Sequence, residues 1–199
     1  MQSKNVSRET FEKIEFFKNE LLKWNKKINL ISQGDEININ TRHIDDSLQL
    51  AGYIDDLNCK IIDFGSGAGF PGLILSIIGY KNVTLVESDS KKCIFLEEIK
   101  QKLMLNTVIL HKRIEDVDSN ASYDIITARA LSSISKLLEY SEKFLHNNIR
   151  LLFLKGKNID QEINEAQINW SFSYKKHRSL IEETGFVIEI DGIRKKNEL

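Results

Sequence analysis

Residues 63–72 read Asp63-Phe64-Gly65-Ser66-Gly67-Ala68-Gly69-Phe70-Pro71-Gly72, and the fold turns on this stretch. It follows the short apolar run of residues 60–64 and precedes a helical pattern over residues 72–78, so it reads as a strand-to-helix turn. Glycines permit so tight a turn and let a ligand approach backbone N–H groups at the start of the helix. Pro71 suits the first helical turn. The spacing is G-x-G-x-G, whereas dinucleotide sites usually show G-x-G-x-x-G. In this strand–turn–helix setting, Gly65, Gly67 and Gly69 predict a cradle for a nucleotide-type ligand rather than a turn of structural use alone.

Outward from the turn, short apolar runs alternate with helical patterns. Strands are expected at residues 60–64, 82–86, 107–111, 123–127 and 149–154, and helices at 72–78, 90–103 and 132–146. Such alternation predicts a parallel sheet covered on both faces. Residues 169–180 and 186–193, around Glu182-Glu183-Thr184-Gly185, read as an antiparallel hairpin. Upstream, residues 1–58 read as a helical extension. Ser7 is a candidate N-cap, Phe11, Ile14, Phe17, Leu21, Leu22 and Trp24 recur at helical spacing, and a second helix covers residues 40–53. The chain is therefore expected to be one domain, residues 1–199, with the extension preceding a Rossmann-like core at 59–199.

The composition is that of a globular protein: 199 residues, 41% hydrophobic and 29% charged, with net charge −1. Cys59 and Cys93 match no metal-ligand spacing, no metal site is expected, and no signal-peptide core opens the chain. These features predict a cytoplasmic protein with free thiols, and the final Lys196-Asn197-Glu198-Leu199 is taken as a chance likeness to a retention signal. No run is apolar enough to cross a membrane. Nothing suggests an obligate oligomer, so a monomer is expected. Basic residues gather at 23–27, 174–178 and 194–196, patches able to steer a polyanion although the total charge is near zero.

A parallel sheet that ends in an antiparallel hairpin is the layout of the class I S-adenosylmethionine-dependent methyltransferases, an analogy of fold. On that analogy Asp63, at the strand end, could meet the methionine ammonium, directly or through water. Glu87 and then Asp89, about 22 residues beyond Gly65, could hold the ribose diol. That acid does not separate S-adenosylmethionine from NAD, since both carry the diol. Ile114 and Glu115 would flank the adenine. Arg129 lies at the end of the fourth strand, where methyltransferases place substrate-facing residues. The Asn/Asp-Pro-Pro-Tyr/Phe motif of exocyclic-amine methylation is missing there, and neither cysteine stands where a 5-methylcytosine enzyme needs its nucleophile. With no evident general base, the chemistry suits an atom that already carries a lone pair, such as guanine N7, held in line with the sulfonium.

The order of these motifs resembles the bacterial small-subunit rRNA guanine-N7 methyltransferase family, also called glucose-inhibited division protein B. The resemblance covers nearly the whole chain. It runs through residues 6–10, Trp24-Asn-Lys-Lys-Ile-Asn-Leu-Ile31, Arg42-His-Ile-Asp-Asp-Ser-Leu48, the glycine turn with its Phe70-Pro71-Gly72 continuation, Lys91-Lys-Cys-Ile-Phe-Leu96, Arg113-Ile-Glu115, Arg129-Ala130 and Leu154-Lys-Gly156. It implies methyl transfer from S-adenosylmethionine to N7 of a guanine in the 530 loop of 16S rRNA, guanine 527 in the usual numbering. It implies a cofactor site including Gly65, Phe70, Ile114, Glu115 and Arg129, with Glu87 where relatives often carry Asp. It also implies contact of Arg42, His43 and Lys155 with RNA or guanine, unless His43 and Asp46 simply hydrogen-bond the N-terminal helices to the core, and 16S rRNA or the small ribosomal subunit as partner. Asn29, Asp46 and Arg113 fall in the same motifs without a role. Relatives often end in a basic Gly-x-Pro tail that this chain lacks. A methyltransferase of the same fold acting on a protein or small molecule is the competing reading, which would place a closed apolar pocket beside Arg129. A nicotinamide oxidoreductase or non-catalytic nucleotide module stands third.

Overall fold

A computed structural model describes residues 7–146 and 148–196. Residues 1–6, Asn147 and residues 197–199, including Val6 of the first family-like segment and the end of the C-terminal tail, lie outside the described residues. Seven strands form one sheet in the order β3-β2-β1-β4-β5-β7-β6. They are β1 (Lys60–Phe64), β2 (Asn82–Glu87), β3 (Val108–His111), β4 (Ile125–Arg129), β5 (Arg150–Lys155), β6 (Trp170–Arg178) and β7 (Phe186–Lys195). The first five are parallel, and β7 pairs antiparallel with both β5 and β6. This is the expected Rossmann-like arrangement with its terminal hairpin.

Strand alternation divides the core in two. Ile61 on β1 and Leu152 and Leu154 on β5 face one layer, built from α1 (Arg8–Asn25), α4 (Gly72–Ile77) and α5 (Ser90–Lys102). Ile62, Phe64, Leu151 and Phe153 face the other, built from α6 (Ile134–Ser141) and α7 (Ile159–Asn169). Helix α1 starts on Ser7, whose hydroxyl accepts the Thr10 N–H at 3.2 Å, and buries Ile14, Phe17 and Leu21 on one stripe. Phe11, expected on that stripe, stands 59% exposed.

Three details differ from the sequence reading. The helix expected over residues 40–53 is a π-helical turn (Asn40–Asp45), one α turn, α3 (Asp46–Leu48), and a 3₁₀ turn (Gln49–Tyr53), preceded by the short α2 (Gln33–Glu36). The fourth strand begins and ends two residues later than expected, reaching Arg129. Helix α7 was not anticipated, because Ile159, Ile163 and Ala166 alone carry its buried face.

Parallel pairing puts the carboxyl ends of β1, β2 and β4 at one edge of the sheet, where a ligand crevice forms in such folds. Thr127 and Arg129 of β4 point to the same face as Asp63, because side chains repeat every second residue. Thr127 Oγ1 donates to Asp63 Oδ1 at 2.7 Å. Arg129, two residues on, emerges instead against the 40–53 segment.

Candidate functional site

A cavity of about 430 Å³ opens at the carboxyl ends of β1, β2, β3 and β4, inside the range of small-molecule sites. The turn after β1 supplies Gly65, Ser66, Gly67, Ala68 and Phe70; β2 and its following loop supply Val86, Glu87, Ser88 and Lys92. Lys112, Arg113, Ile114 and Glu115 close one side. Arg129, Ala130, Leu131 and Tyr140 close another, and Leu30, Ile31 and His43 from the helical segment complete the wall.

The glycines of the turn differ in use. All three have positive φ, +63° at Gly65, +55° at Gly67 and +100° at Gly69, where a side chain is strained. A Cβ on Gly67 would meet nothing nearer than the Gly65 carbonyl at 3.9 Å, so the space above it is open. A Cβ on Gly65 would stand 2.6 Å from Leu131 Cδ1, and one on Gly69 2.8 Å from Leu73 Cβ. Gly69 therefore serves packing of the turn on α4 and does not line the cavity. Gly72 lets α4 lie against the sheet, since a Cβ there would come within 2.4 Å of Leu85 Cδ2.

The carboxylates are also distributed unevenly. Asp63 is fully buried, its Oδ2 accepting the Gly72 N–H at 3.3 Å and its Oδ1 the Thr127 hydroxyl. Burial pushes its pKa up to about 6. It ties β1 to α4 and β4 and does not reach the cavity, so the ammonium contact expected of it is not available to it directly. Glu87 does line the cavity. Its Oε2 accepts the Gly67 N–H at 2.9 Å, and its Oε1 accepts the Ser88 and Asp89 N–H groups at 2.7 and 2.8 Å. Three of about four acceptor sites on that carboxylate are thus taken by backbone. Asp89 caps α5, its Oδ1 accepting the Lys91 and Lys92 N–H groups at 2.8 and 3.1 Å.

Arg129 sits in a buried cluster from three segments far apart in sequence. Its Nη2 donates to His43 Nδ1 at 2.7 Å, and its Nε stands 3.4 Å from Asp46 Oδ2. Its guanidinium lies 5.7 Å from the centre of the Phe70 ring, on which the His43 imidazole stacks at 4.9 Å. Burial, and next the Arg129 charge, push the pKa of His43 down to about 4. A neutral imidazole accepting at Nδ1 carries its proton on Nε2, whose nearest carboxylate oxygen, Asp35 Oδ2, is 3.7 Å away. Burial raises the pKa of Asp46 against the pull of Arg129, while the Gln49 amide donates to its Oδ1 at 2.7 Å. Among the described residues, the buried Arg129 Nη1 and His43 Nε2 have no hydrogen-bond partner. Ala130, next in the chain, adopts φ +49°, a left-handed backbone rare for alanine.

The structure thus brings Gly65, Gly67, Phe70, Glu87, Ile114, Glu115, Arg129 and His43 to one cavity. It leaves Arg42 and Lys155 off the lining. Arg42 is exposed and bridges Asp35 (2.7 Å) to Glu182 (3.0 Å) on the hairpin loop. Lys155 is nearly buried, donating to the Ser132 carbonyl at 2.7 Å and pairing with Glu162 of α7 at 2.5 Å. Both hold structure together here. Lys143, absent from the sequence reading, donates to the carbonyls of Ile114, Glu115 and Val117 at 2.7–2.8 Å and fixes the turn on that side of the cavity. Nothing in its local sequence marks it. Cys59 and Cys93 are buried and free, their thiols pushed up to about 11 by burial. Among the described residues no group of metal ligands gathers, and no helix is long and apolar enough to cross a membrane.

Solved structures share this frame at low identity. A magnesium protoporphyrin IX methyltransferase from Synechocystis, with S-adenosylmethionine bound, aligns over 97% of this chain and 100% of its own at TM-score 0.62 and 12% identity. A ribosomal protein L11 methylase from Lactobacillus delbrueckii aligns over 76% and 77% at TM-score 0.59 and 16% identity. The fold is that of the Rossmann-like, class I methyltransferases. The profile of the rRNA small subunit methyltransferase G family matches residues 10–185. Proteins named ribosomal RNA small subunit methyltransferase G are similar from end to end: that of Rickettsia felis at 43% identity over 96% of this chain and 97% of its own, and that of Orientia tsutsugamushi at 41% over 94% and 92%. The chain belongs to the rRNA small subunit methyltransferase G family.

Proposed function

We propose that this protein transfers the methyl group of S-adenosylmethionine to N7 of a guanine in the 530 loop of 16S rRNA. Membership of the family supports a methyltransferase acting on small-subunit rRNA. The choice of N7 rests on one observation: among the described residues of the lining, no carboxylate or histidine on Arg129's own side of the cavity is free to remove a proton. Glu87 is taken by three backbone N–H groups. His43 accepts from Arg129 and, with its pKa near 4, is a weak base. Glu115 lies on the turn after β3, three strands across the sheet from β4. An exocyclic amine sheds a proton on methylation; N7 attacks with a lone pair it already has.

The residues present fit the cofactor. The open space above Gly67 admits a ligand against backbone, and Glu87 lies within reach of the same turn for a ribose hydroxyl. Arg129 Nη1 is a buried donor without a partner among the described residues, a condition costing about 1–3 kcal/mol that a ligand acceptor would relieve. Gly65, Gly67, Phe70, Glu87, Ile114, Glu115 and Arg129 would hold the cofactor, with Gly69 and Asp63 shaping the turn from behind. When bound, the cofactor supplies an electrophilic methyl group. The chain orients the guanine: Arg129, fixed by His43, Asp46 and the Phe70 ring, keeps one donor edge toward the reactants, and most of the rate gain comes from alignment.

Purified protein, methyl-labelled S-adenosylmethionine and either 16S rRNA or small subunits test this reading. Digestion and mass spectrometry should find 7-methylguanosine in the 530-loop fragment. A label on any other atom, or none in either substrate, would overturn it.

A further inference from the structure

A second hollow, of about 380 Å³, is lined by Lys27, Ile28, Asn29, Asp89, Lys91 and Lys92. Lys92 also lines the main cavity, so the two hollows meet at that side chain. The cations around this junction differ from their neighbours. On α1 and α5, Lys13, Lys18, Lys23, Lys100 and Lys102 each pair with a glutamate. Among the described residues, Lys27, Lys91 and Lys92 have no carboxylate within 4.0 Å, nor do Lys112 and Arg113 on the main cavity's wall. The single acid in the hollow, Asp89, already turns its Oδ1 toward the N–H groups of Lys91 and Lys92. Three ammonium groups against one carboxylate, around a hollow that shares Lys92 with the cavity, leave a net positive lining suited to an extended polyanion.

We propose that this hollow is a phosphodiester subsite that holds the RNA strand flanking the target guanine and leads it into the cavity. The inference rests on the rRNA methyltransferase reading above. Phosphate, rather than base, is the group recognised, because the lining offers lysines and Asn29 but no aromatic ring for stacking. Lysine–phosphate contacts release condensed counterions, about 0.7 per contact on a single strand. They therefore set affinity and its salt dependence without reading sequence.

The test compares a Lys27→Gln/Lys91→Gln double variant with a Lys60→Gln/Lys81→Gln control. The control removes the same charge from two lysines, equally without a carboxylate partner among the described residues, at the amino-terminal ends of β1 and β2. Binding of 16S rRNA is measured across a salt series, beside methylation kinetics and calorimetry of S-adenosylmethionine. For Lys27→Gln/Lys91→Gln the magnitude of the log Kd against log salt slope should fall by about 1.4, and affinity at 0.1 M salt should drop about twentyfold. KM for RNA should rise with it, while cofactor affinity and Tm stay at wild-type values. The control should match wild type throughout. A double variant with the wild-type slope and KM, or a control that loses as much, overturns the subsite while leaving the proposed function standing. Failure of the wild-type protein to bind or methylate the RNA overturns both.

Discussion

Replacing the glycines of the 63–72 turn one at a time separates ligand space from packing space. Gly67→Ala puts a methyl group at φ +55° with nothing within 3.9 Å. The left-handed backbone costs an alanine about 1–2 kcal/mol. For a chain of this size that lowers Tm by about 2–8 °C. The same methyl group occupies the space proposed for the cofactor, and overfilling a packed site costs about 1–3 kcal/mol, a loss of roughly 5- to 150-fold in affinity. Gly72→Ala has ordinary φ but sets its Cβ 2.4 Å from Leu85 Cδ2 and 2.7 Å from Asp63 Cβ, so α4 must shift off the sheet. That variant should lose more stability than Gly67→Ala. Gly69→Ala combines φ +100° with a 2.8 Å approach to Leu73 and should behave like Gly72→Ala. The assay pairs thermal unfolding with calorimetric titration of S-adenosylmethionine on each variant. Gly67→Ala should keep most of its stability and lose affinity. Wild-type affinity in Gly67→Ala, or a Tm loss as large as that of Gly72→Ala, would refute the placement of the ligand above this turn.

Other expectations follow from the buried groups around Arg129 and from Lys155, which lies off the cavity lining. His43 has a folded pKa near 4 against an ordinary 6.5, so the unfolded chain binds more protons between these values. Its effect on stability is nil above about pH 6.5, grows unfavourable as pH falls toward 4, and levels off below; denaturant titrations of wild type and His43→Gln should therefore diverge over that window, by up to roughly 3 kcal/mol, and parallel curves would remove His43 from the cluster. Arg129→Ala should lower kcat by at least tenfold with the fold intact, and unchanged kinetics in single-turnover assays would exclude Arg129 from the mechanism. Lys155→Met should lower Tm, because it frees the Ser132 carbonyl and leaves the Glu162 carboxylate without its cation; a variant of normal Tm that binds RNA tenfold less well would support contact of Lys155 with RNA. Cys59 and Cys93, buried with thiols near 11, should resist iodoacetamide at pH 8 in the native protein, and rapid labelling with retained structure would contradict their burial.

The sheet was legible because its strands are short apolar runs and because the glycine turn marks the first crossover. Helix α7 was not, since only Ile159, Ile163 and Ala166 are buried in a stretch that is polar apart from them and the exposed Ile168. The turns around Asn40–Tyr53 carry a helical pattern, yet they change pitch twice, and the contacts that drive this come from elsewhere: Gln49 donates to Ser179 Oγ across 130 residues and accepts the Leu180 N–H. In the site, the glycines, Glu87 and Arg129 could be named from local pattern. Their partners could not. His43 meets Arg129 across 86 residues, and Lys143, in the turn after α6, braces the Ile114–Asp116 turn. Asp63 shows the limit of reading a strand end: the register decides whether its carboxylate faces the crevice or, as here, the underside of α4.

The most direct test is mass-spectrometric mapping of 16S rRNA from cells that lack this protein and from the same cells with it restored. The 530-loop guanine should lose its N7 methyl group in the first and regain it in the second, but not when the restored copy carries Arg129→Ala. An N7 methyl group that persists at that guanine without the protein would contradict the proposed function.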